Sequence, residues 1–379
     1  MNSIALYIHI PFCEKKCHYC DFNSYSGKNH LVDGYIKALK KEMQQYGEII
    51  KGHSVATVFF GGGTPSILTG EQMAEIMETL RRYYTLEEQA EISMEANPGT
   101  LNFHKLKAYY KSGINRLSMG LQSCQNHLLK TLGRIHSFEE YVKNLEDARK
   151  AGFTNINTDL MFSLPGQTER DWQESLEKIV SLGIPHISAY SLIVEEGTPF
   201  FSWVENKKII LPDEEVDMNM YHYTIEYLKS RGYHHYEISN YAKNGFECKH
   251  NITYWHNEHY IGLGAGAHSY FDQKRFNNFA DIDKYIHLLG EGSSPVEEEI
   301  LVSKNDEIAE TMFLGLRMME GISIDGFFKR FHTTPLAIYE DTLEKLRKQG
   351  LIQWDEKGIW LTSKGIDLSN VVFEKMLLD

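Results

Sequence analysis

Ile8-His9-Ile10-Pro11-Phe12-Cys13-Glu14-Lys15-Lys16-Cys17-His18-Tyr19-Cys20-Asp21 is the stretch on which the reading of this chain turns. An apolar run ends at Ile10, and the loop that follows carries three cysteines in a C-x-x-x-C-x-x-C pattern. Three thiolates can hold three irons of a [4Fe–4S] cube and leave the fourth iron open to a ligand, much as a catalytic zinc keeps a vacant position. A disulfide fits poorly, because the thiols are clustered and the chain reads as intracellular. A structural zinc site is the serious rival. It needs a fourth ligand, and His9, His18 and Asp21 are all near in sequence. Zinc sites more often pair two C-x-x-C units than use one three-cysteine run, so the spacing favours the cluster. Cys124 and Cys248 stand apart and carry no signal of their own.

The composition sets the frame around that loop. A chain of 379 residues is too long for one small core, so a large domain over 1–295 and a smaller one over 300–379 are expected. With 39 basic and 52 acidic side chains the formal charge is −13, which argues against nucleic acid as a partner. No basic segment followed by an apolar one opens the chain, and no apolar run approaches the roughly 20 residues that span a bilayer. A cytoplasmic protein is expected.

Up to about residue 195, strands alternate with helices. Strands are read at Ile4–Ile10, Val55–Phe60, Glu91–Asn97, Ile114–Gln122, Asn155–Phe162 and His186–Leu192, and helices include Leu31–Ile50, Glu71–Tyr84 and Phe138–Ala151. This alternation predicts βαβ units and a parallel sheet. Six units are too few for a closed eight-stranded barrel, so the fold class expected is α/β, a partial (β/α)6 TIM-like barrel. The strands also alternate internally: Ile4, Leu6, Ile8 and Ile10 with Tyr7 and His9, Ile92 and Met94 with Ser93 and Glu95, Ile156 and Leu160 with Asn157 and Asp159. Period two puts these sets on opposite faces. Parallel strands covered by helices are usually apolar on both faces. One polar face therefore predicts a wet or ligand-filled interior, since burying such groups without partners costs a few kcal/mol each.

Residues 205–295 are less periodic, with a helix at Asp213–Arg231, and Gly290 to Pro295 reads as a linker. Beyond it, helices at Asp306–Glu320 and Leu336–Gln349 precede a hairpin at Gln353–Asp355 and Ile359–Leu361. That order suggests a small winged-helix-like α+β domain. Its mixed charges suit docking rather than DNA.

Gly61-Gly62-Gly63-Thr64-Pro65 follows the second strand, on the same rim as the cysteines. Glycines there let backbone approach a ligand closely, and ligands bind at the carboxyl ends of parallel strands. Tight turns use such runs as well.

Taken in order, Tyr7 to Cys20, Gly61 to Pro65, Glu95-Ala96-Asn97-Pro98, Arg116 to Gln122, Gly133-Arg134-Ile135-His136 and Asn157-Thr158-Asp159-Leu160 resemble the radical S-adenosylmethionine (SAM) proteins. More narrowly, they resemble the family of the oxygen-independent coproporphyrinogen III dehydrogenases and the haem chaperones related to them. The resemblance covers almost the whole chain. It implies that Cys13, Cys17 and Cys20 ligate a [4Fe–4S] cluster whose open iron binds SAM, and that an electron from the cluster can split the sulfonium. It further implies that Tyr7, Gly62, Gly63, Thr64, Glu95, Gln122, Arg134 and Asp159 contact SAM. Carboxylates suit ribose hydroxyls and a sulfonium cation, and Arg134 suits the SAM carboxylate.

Two features lean toward the chaperone branch. The dehydrogenases carry a further cysteine two places past the third, where this chain has Phe22, and they begin with a longer N-terminal extension. His250-Asn251-Ile252-Thr253-Tyr254-Trp255 resembles a segment linked to haem binding, with His250 as the implied iron ligand. A histidine among aromatics can equally be structural. Gly262 to Ser269 is glycine-rich and receives no role. The resemblance thus implies a haem chaperone that delivers haem to acceptor haemoproteins of the respiratory kind, without coproporphyrinogen dehydrogenation. It leaves room for peripheral membrane contact and for a homodimer.

Overall fold

In the computed structural model, which describes residues 3–378, six parallel strands follow one another in chain order. They are β1 (Ser3–Ile10), β2 (Ser54–Gly62), β3 (Thr85–Ala96), β4 (Arg116–Gln122), β5 (Asn155–Phe162) and β6 (His186–Ser191). Helices between them include Val32–Ile49, Gly70–Tyr83 and Phe138–Ala151. Thr69 with Gln72 and Ser137 with Glu140 form capping boxes that fix where two of these helices begin. The array is the expected partial barrel.

The less periodic region extends the sheet at both ends. β7 (His234–Glu237) and β8 (Asn240–Ala242) continue it past β6, and β9 (Tyr260–Leu263) pairs in parallel with β1. Antiparallel β10 (His268–Phe271), β11 (Lys274–Asn278) and β12 (Val296–Leu301) follow. The sheet therefore has twelve strands in the order β12-β11-β10-β9-β1-β2-β3-β4-β5-β6-β8-β7. Gly290 to Pro295, read as a linker, is a turn between the helix Ile282–Gly290 and β12, and it returns the chain to the sheet edge.

One face of the six central strands meets the helices. Leu6, Ile8, Val58, Phe60, Met94, Leu117 and Leu160 are fully buried in one apolar core with Leu39, Met43, Ile76 and Leu80 from the helices. Burial of each such side chain contributes roughly 1.5–3 kcal/mol.

The polar face has two fates, and here the expectation of a wet interior needs correcting. Toward the amino ends of the strands it is covered. The helix Lys249–Trp255 lies against it, and Glu91 accepts from the Lys249 N–H at 3.0 Å, the His250 N–H at 3.3 Å and the Cys248 thiol at 3.6 Å. That carboxylate serves donors that a helix N-terminus leaves without intrahelical partners. Asn157 meets His186 at 2.6 Å, and His186 meets the Tyr236 hydroxyl at 2.8 Å. Glu91, Asn157 and His186 thus find partners within the fold, while Arg116 Nε and Asn155 Oδ1 nearby are buried without one. Toward the carboxyl ends the same face opens.

The C-terminal segment has its own apolar cluster, including Ile308, Met312, Phe327, Leu343, Ile352 and Ile359. Strands β13 (Ile322–Ser323), β14 (Ile352–Trp354) and β15 (Gly358–Leu361) form a sheet in the order β13-β15-β14, beside helices Lys304–Gly315, Ile324–Phe331 and Pro335–Lys348. The helix expected over Asp306–Glu320 stops at Gly315, and a strand and a further helix follow it. Arg275 holds the Glu310 carboxylate with two bonds of 2.8 and 2.7 Å, and Arg330 binds Glu307 and the carbonyls of His256 and Asn257. These contacts tie the segment to the helix that seals the barrel. Among the described residues no helix is long and apolar enough to cross a membrane.

Candidate functional site

The carboxyl ends of the strands open on a cavity of about 340 Å³, lined by Cys13, Cys17 and Cys20 together with Gly62, Gly63, Thr64, Glu95, Gln122, Arg134 and Asp159. The cysteine loop is pinned before it reaches the cavity. Phe12 is fully buried, edge-on to Tyr35, and Phe12–Cys13 pairs in parallel with Tyr25–Ser26.

The glycine run is there because two loops touch. Gly63 donates its N–H to the Ile10 carbonyl at 2.9 Å, and Thr64 donates to the Phe12 carbonyl at 2.8 Å. A Cβ on Gly63 would stand 2.6 Å from that Phe12 oxygen. Gly62 has φ of +108°, and a Cβ there would meet the His9 ring at 2.4 Å. The Gly62 N–H goes to Glu95 Oε2 at 3.2 Å. With these N–H groups spent inside the protein, what the run can offer a ligand is carbonyl oxygen, which suits an ammonium.

Thr64 Oγ1 donates to Cys13 Sγ at 3.4 Å, and Arg134 Nη1 donates to Cys17 Sγ at 3.4 Å. Burial pushes the Cys13 and Cys20 thiols up, so a metal is what would favour their thiolates. All five cysteines are free. Among the described residues no three His, Cys, Asp or Glu side chains converge closely enough to hold one ion. The histidines a zinc site would need are engaged elsewhere. His9 meets the Tyr7 hydroxyl at 2.9 Å and the Asn23 carbonyl at 2.8 Å, and His18 meets the Thr131 carbonyl at 3.0 Å and packs edge-on to Trp203. Soft thiolates sharing one cavity fit an iron–sulfur cluster better than a lone zinc.

Two carboxyl groups face this cavity. Burial, with Asp159 adding to it, pushes Glu95 up to about 8. Burial also raises Asp159, against hydrogen bonds from Ser188, Asn157 and Ser118. Such a pair favours a cation or hydroxyl donors between them. Gln122 ends β4 at a bulge with φ of +74°, a conformation uncommon outside glycine. Arg134 follows the left-handed Gly133 that ends the helix Asn126–Leu132, and bonds Asn97 Oδ1 at 2.5 Å and the Gly120 carbonyl.

Two expected residues lie elsewhere. Tyr7 lines an adjoining cavity of about 730 Å³, which shares Phe22, Gly62 and Glu95 with the first. His250 lines neither. It is buried against Phe59, and its Nδ1 meets Thr57 Oγ1 at 2.8 Å while its Nε2 meets the Tyr254 hydroxyl at 2.9 Å. Both ring nitrogens are committed, and burial pushes the imidazole down to about 3. As it stands, His250 seals the barrel rather than facing a ligand. The sequence reading gave no role to Tyr190 and Met161, which also line the cluster cavity. Neither sits in a distinctive pattern.

A model of the radical SAM superfamily matches residues 7–179, and one of the HemN C-terminal domain matches residues 302–368. The solved coproporphyrinogen III oxidase HemN of Escherichia coli, described as a radical SAM enzyme, superposes with a TM-score of 0.86 at 25% identity, covering 99% of this chain and 90% of that one. Barrel, cysteine loop and C-terminal segment thus define a radical SAM protein of the HemN type. The heme chaperone HemW of Bacillus subtilis is 40% identical over 98% of this chain and 99% of its own length. That of Lactococcus lactis is 39% identical, covering 99% and 97%. The chain belongs to the HemW heme chaperone family.

Proposed function

We propose that this protein binds a [4Fe–4S] cluster through Cys13, Cys17 and Cys20, holds SAM beside it, and carries haem to acceptor haemoproteins of the respiratory kind in the cytoplasm. The observation that carries the cluster and SAM reading is the convergence of three free thiols, a glycine rim and two buried carboxyls on one cavity. Gly62, Gly63 and Thr64 would border the methionine end, Glu95 and Asp159 would take cationic or hydroxyl groups, and Gln122 and Arg134 would close the wall. Tyr7 would act from behind Glu95, through the adjoining cavity. When bound, cluster and SAM supply one-electron chemistry at the sulfonium. The chain's own part is to position them: Arg134 and Thr64 orient the cysteine sulfurs, and the buried Glu95 can hold or release a proton at its carboxyl near neutral pH. Haem binding and delivery are supported by the chain-long likeness to HemW proteins. We place the division between the two units near residue 300, where the segment with its own apolar cluster begins.

Likeness to HemN favours a second reading, oxidative decarboxylation of coproporphyrinogen III. Phe22 stands against it, because that large side chain, 60% exposed, occupies the position of the dehydrogenases' further cysteine. Anaerobic haem transfer from loaded protein to an apo-haemoprotein, run beside a coproporphyrinogen assay, tests both. Transfer without porphyrinogen turnover is expected, and turnover without transfer would reverse the choice.

A further inference from the structure

Beneath the cluster cavity the polar groups form a chain whose hydrogen bonds all run one way. Asp159 lines the cavity, and two donors hold it: Ser118 Oγ reaches its Oδ2 at 3.2 Å, and Asn157 Nδ2 its Oδ1 at 2.7 Å. Asn157 Nδ2 also donates to Ser118 Oγ at 2.7 Å. Asn157 stands opposite His186 in the pairing of β5 with β6. Its Oδ1 meets His186 Nδ1 at 2.6 Å and accepts from Ser188 Oγ at 3.2 Å. His186 Nε2 meets the Tyr236 hydroxyl at 2.8 Å, and that oxygen accepts the Cys248 N–H at 3.2 Å. Cys248 caps the helix that seals the barrel.

Counting donors and acceptors places each proton. A carboxylate only accepts, so Asn157 turns its NH2 toward Asp159 and its carbonyl oxygen toward His186. That oxygen needs a donor, so the His186 proton sits on Nδ1. Burial pushes the imidazole well down, which keeps the ring neutral and leaves Nε2 a lone pair. Tyr236 then donates to Nε2, and its own oxygen is left for Cys248. Asn157 and His186 are both buried, where the reversed arrangement would set lone pair against lone pair.

We propose that His186 is a positioning residue for SAM: through Asn157 it aims the Asp159 carboxylate at the ligand, and through Tyr236 it is itself held by the seal. The role rests on the SAM reading above and adds to it a residue that lines neither cavity. Any buried histidine needs partners for stability. What marks this one is where its chain ends, on a carboxylate that faces the ligand space. Asn157 can turn only one way while the His186 Nδ1 proton points at its oxygen. A ring without that proton frees the amide to rotate, and Asp159 then loses the donor that fixes its Oδ1.

The test uses the full chain with its cluster rebuilt anaerobically, and reads SAM affinity from the change SAM makes in the reduced cluster's electron paramagnetic resonance. In His186→Phe, which fills the space without either nitrogen, SAM should bind about tenfold more weakly, with iron and sulfide content unchanged. Tyr236→Phe deletes one hydroxyl and should lose about threefold. Asp159→Asn combined with His186→Phe should bind no more weakly than Asp159→Asn alone, because His186 acts through that carboxylate. In cluster-free protein carrying isotope-labelled histidine, nuclear magnetic resonance should show the His186 ring protonated at Nδ1. Unchanged SAM affinity in His186→Phe or, where that variant does not fold, in Tyr236→Phe overturns the role of His186 and leaves the SAM reading standing. So do losses that multiply in the double variant, or a proton on Nε2 instead. An unaltered protein whose cluster signal ignores SAM overturns both.

Discussion

The two ends of the same barrel face differ in what their polar side chains face. At the amino ends, Glu91, Asn157 and His186 are matched by partners from within the chain, and the helix Lys249–Trp255 seals them in. At the carboxyl ends, Glu95 and Asp159 line a cavity beside three thiols, and burial pushes those of Cys13 and Cys20 up. Residues of one type, on one face of one sheet, are thus closed over at one end and line a cavity at the other, where we propose that ligands bind. Partners from the fold do not by themselves close a polar group off: Asp159 accepts from Ser118 and Asn157 and still lines the cavity.

The contrast is open to direct attack. Cys17→Ala should abolish the cubane spectrum and the bound iron and sulfide of rebuilt protein while leaving the circular dichroism intact. Retention of a full iron complement would move the cluster elsewhere. Glu91→Ala should do the reverse. It strips acceptors from a buried helix N-terminus and leaves the neighbouring buried Arg116 with Asp159 as its remaining carboxylate, so a loss of about 3 kcal/mol is expected in denaturant unfolding. A midpoint within error of the unaltered protein would refute the sealing role.

Glu95→Gln should separate the two ends through pH. Glu95 sits at about 8 in the fold against an ordinary 4.5, so the folded protein keeps a proton that the unfolded chain releases. Its contribution to stability is full below about 4.5 and is lost as pH rises through about 8. Glu42, buried and pushed to about 7, acts in the same direction. Removing Glu95 should therefore flatten, without erasing, the decline in cluster-free protein, as read by melting midpoints across that range. An undiminished decline would show that Glu95 is ionised throughout. The smallest effect belongs to the outer contact. Arg330→Ala breaks a quarter-exposed pair with Glu307 and the bonds to the His256 and Asn257 carbonyls, and should cost about 1–2 kcal/mol, with cluster content unchanged.

Much of this was legible in the chain itself. Six strands at Ile4–Ile10 through His186–Leu192 and the helices between them declare themselves by period, because each must present an apolar face to the other layer. The added strands β9 and β10 did not, since they span only four residues each, too few to show a period, and take their place from pairing with neighbours. Among site residues, Glu95, Gln122 and Asp159 were visible as polar positions near strand ends. Tyr7 shares that face yet reaches a different cavity, because the chain returns through β9 beside β1.

By itself the sequence determined the parallel sheet, the loop with its three thiols and the family to which the chain belongs. Those depend on neighbours along the chain: alternation, cysteine spacing and the glycines that let two loops touch. Only the tertiary structure decided which polar groups were already partnered. It set His250 inside the seal, because its hydrogen bond to Thr57 is made across the fold and leaves no mark in the order of residues, whereas the bond to Tyr254 joins neighbours on one helix.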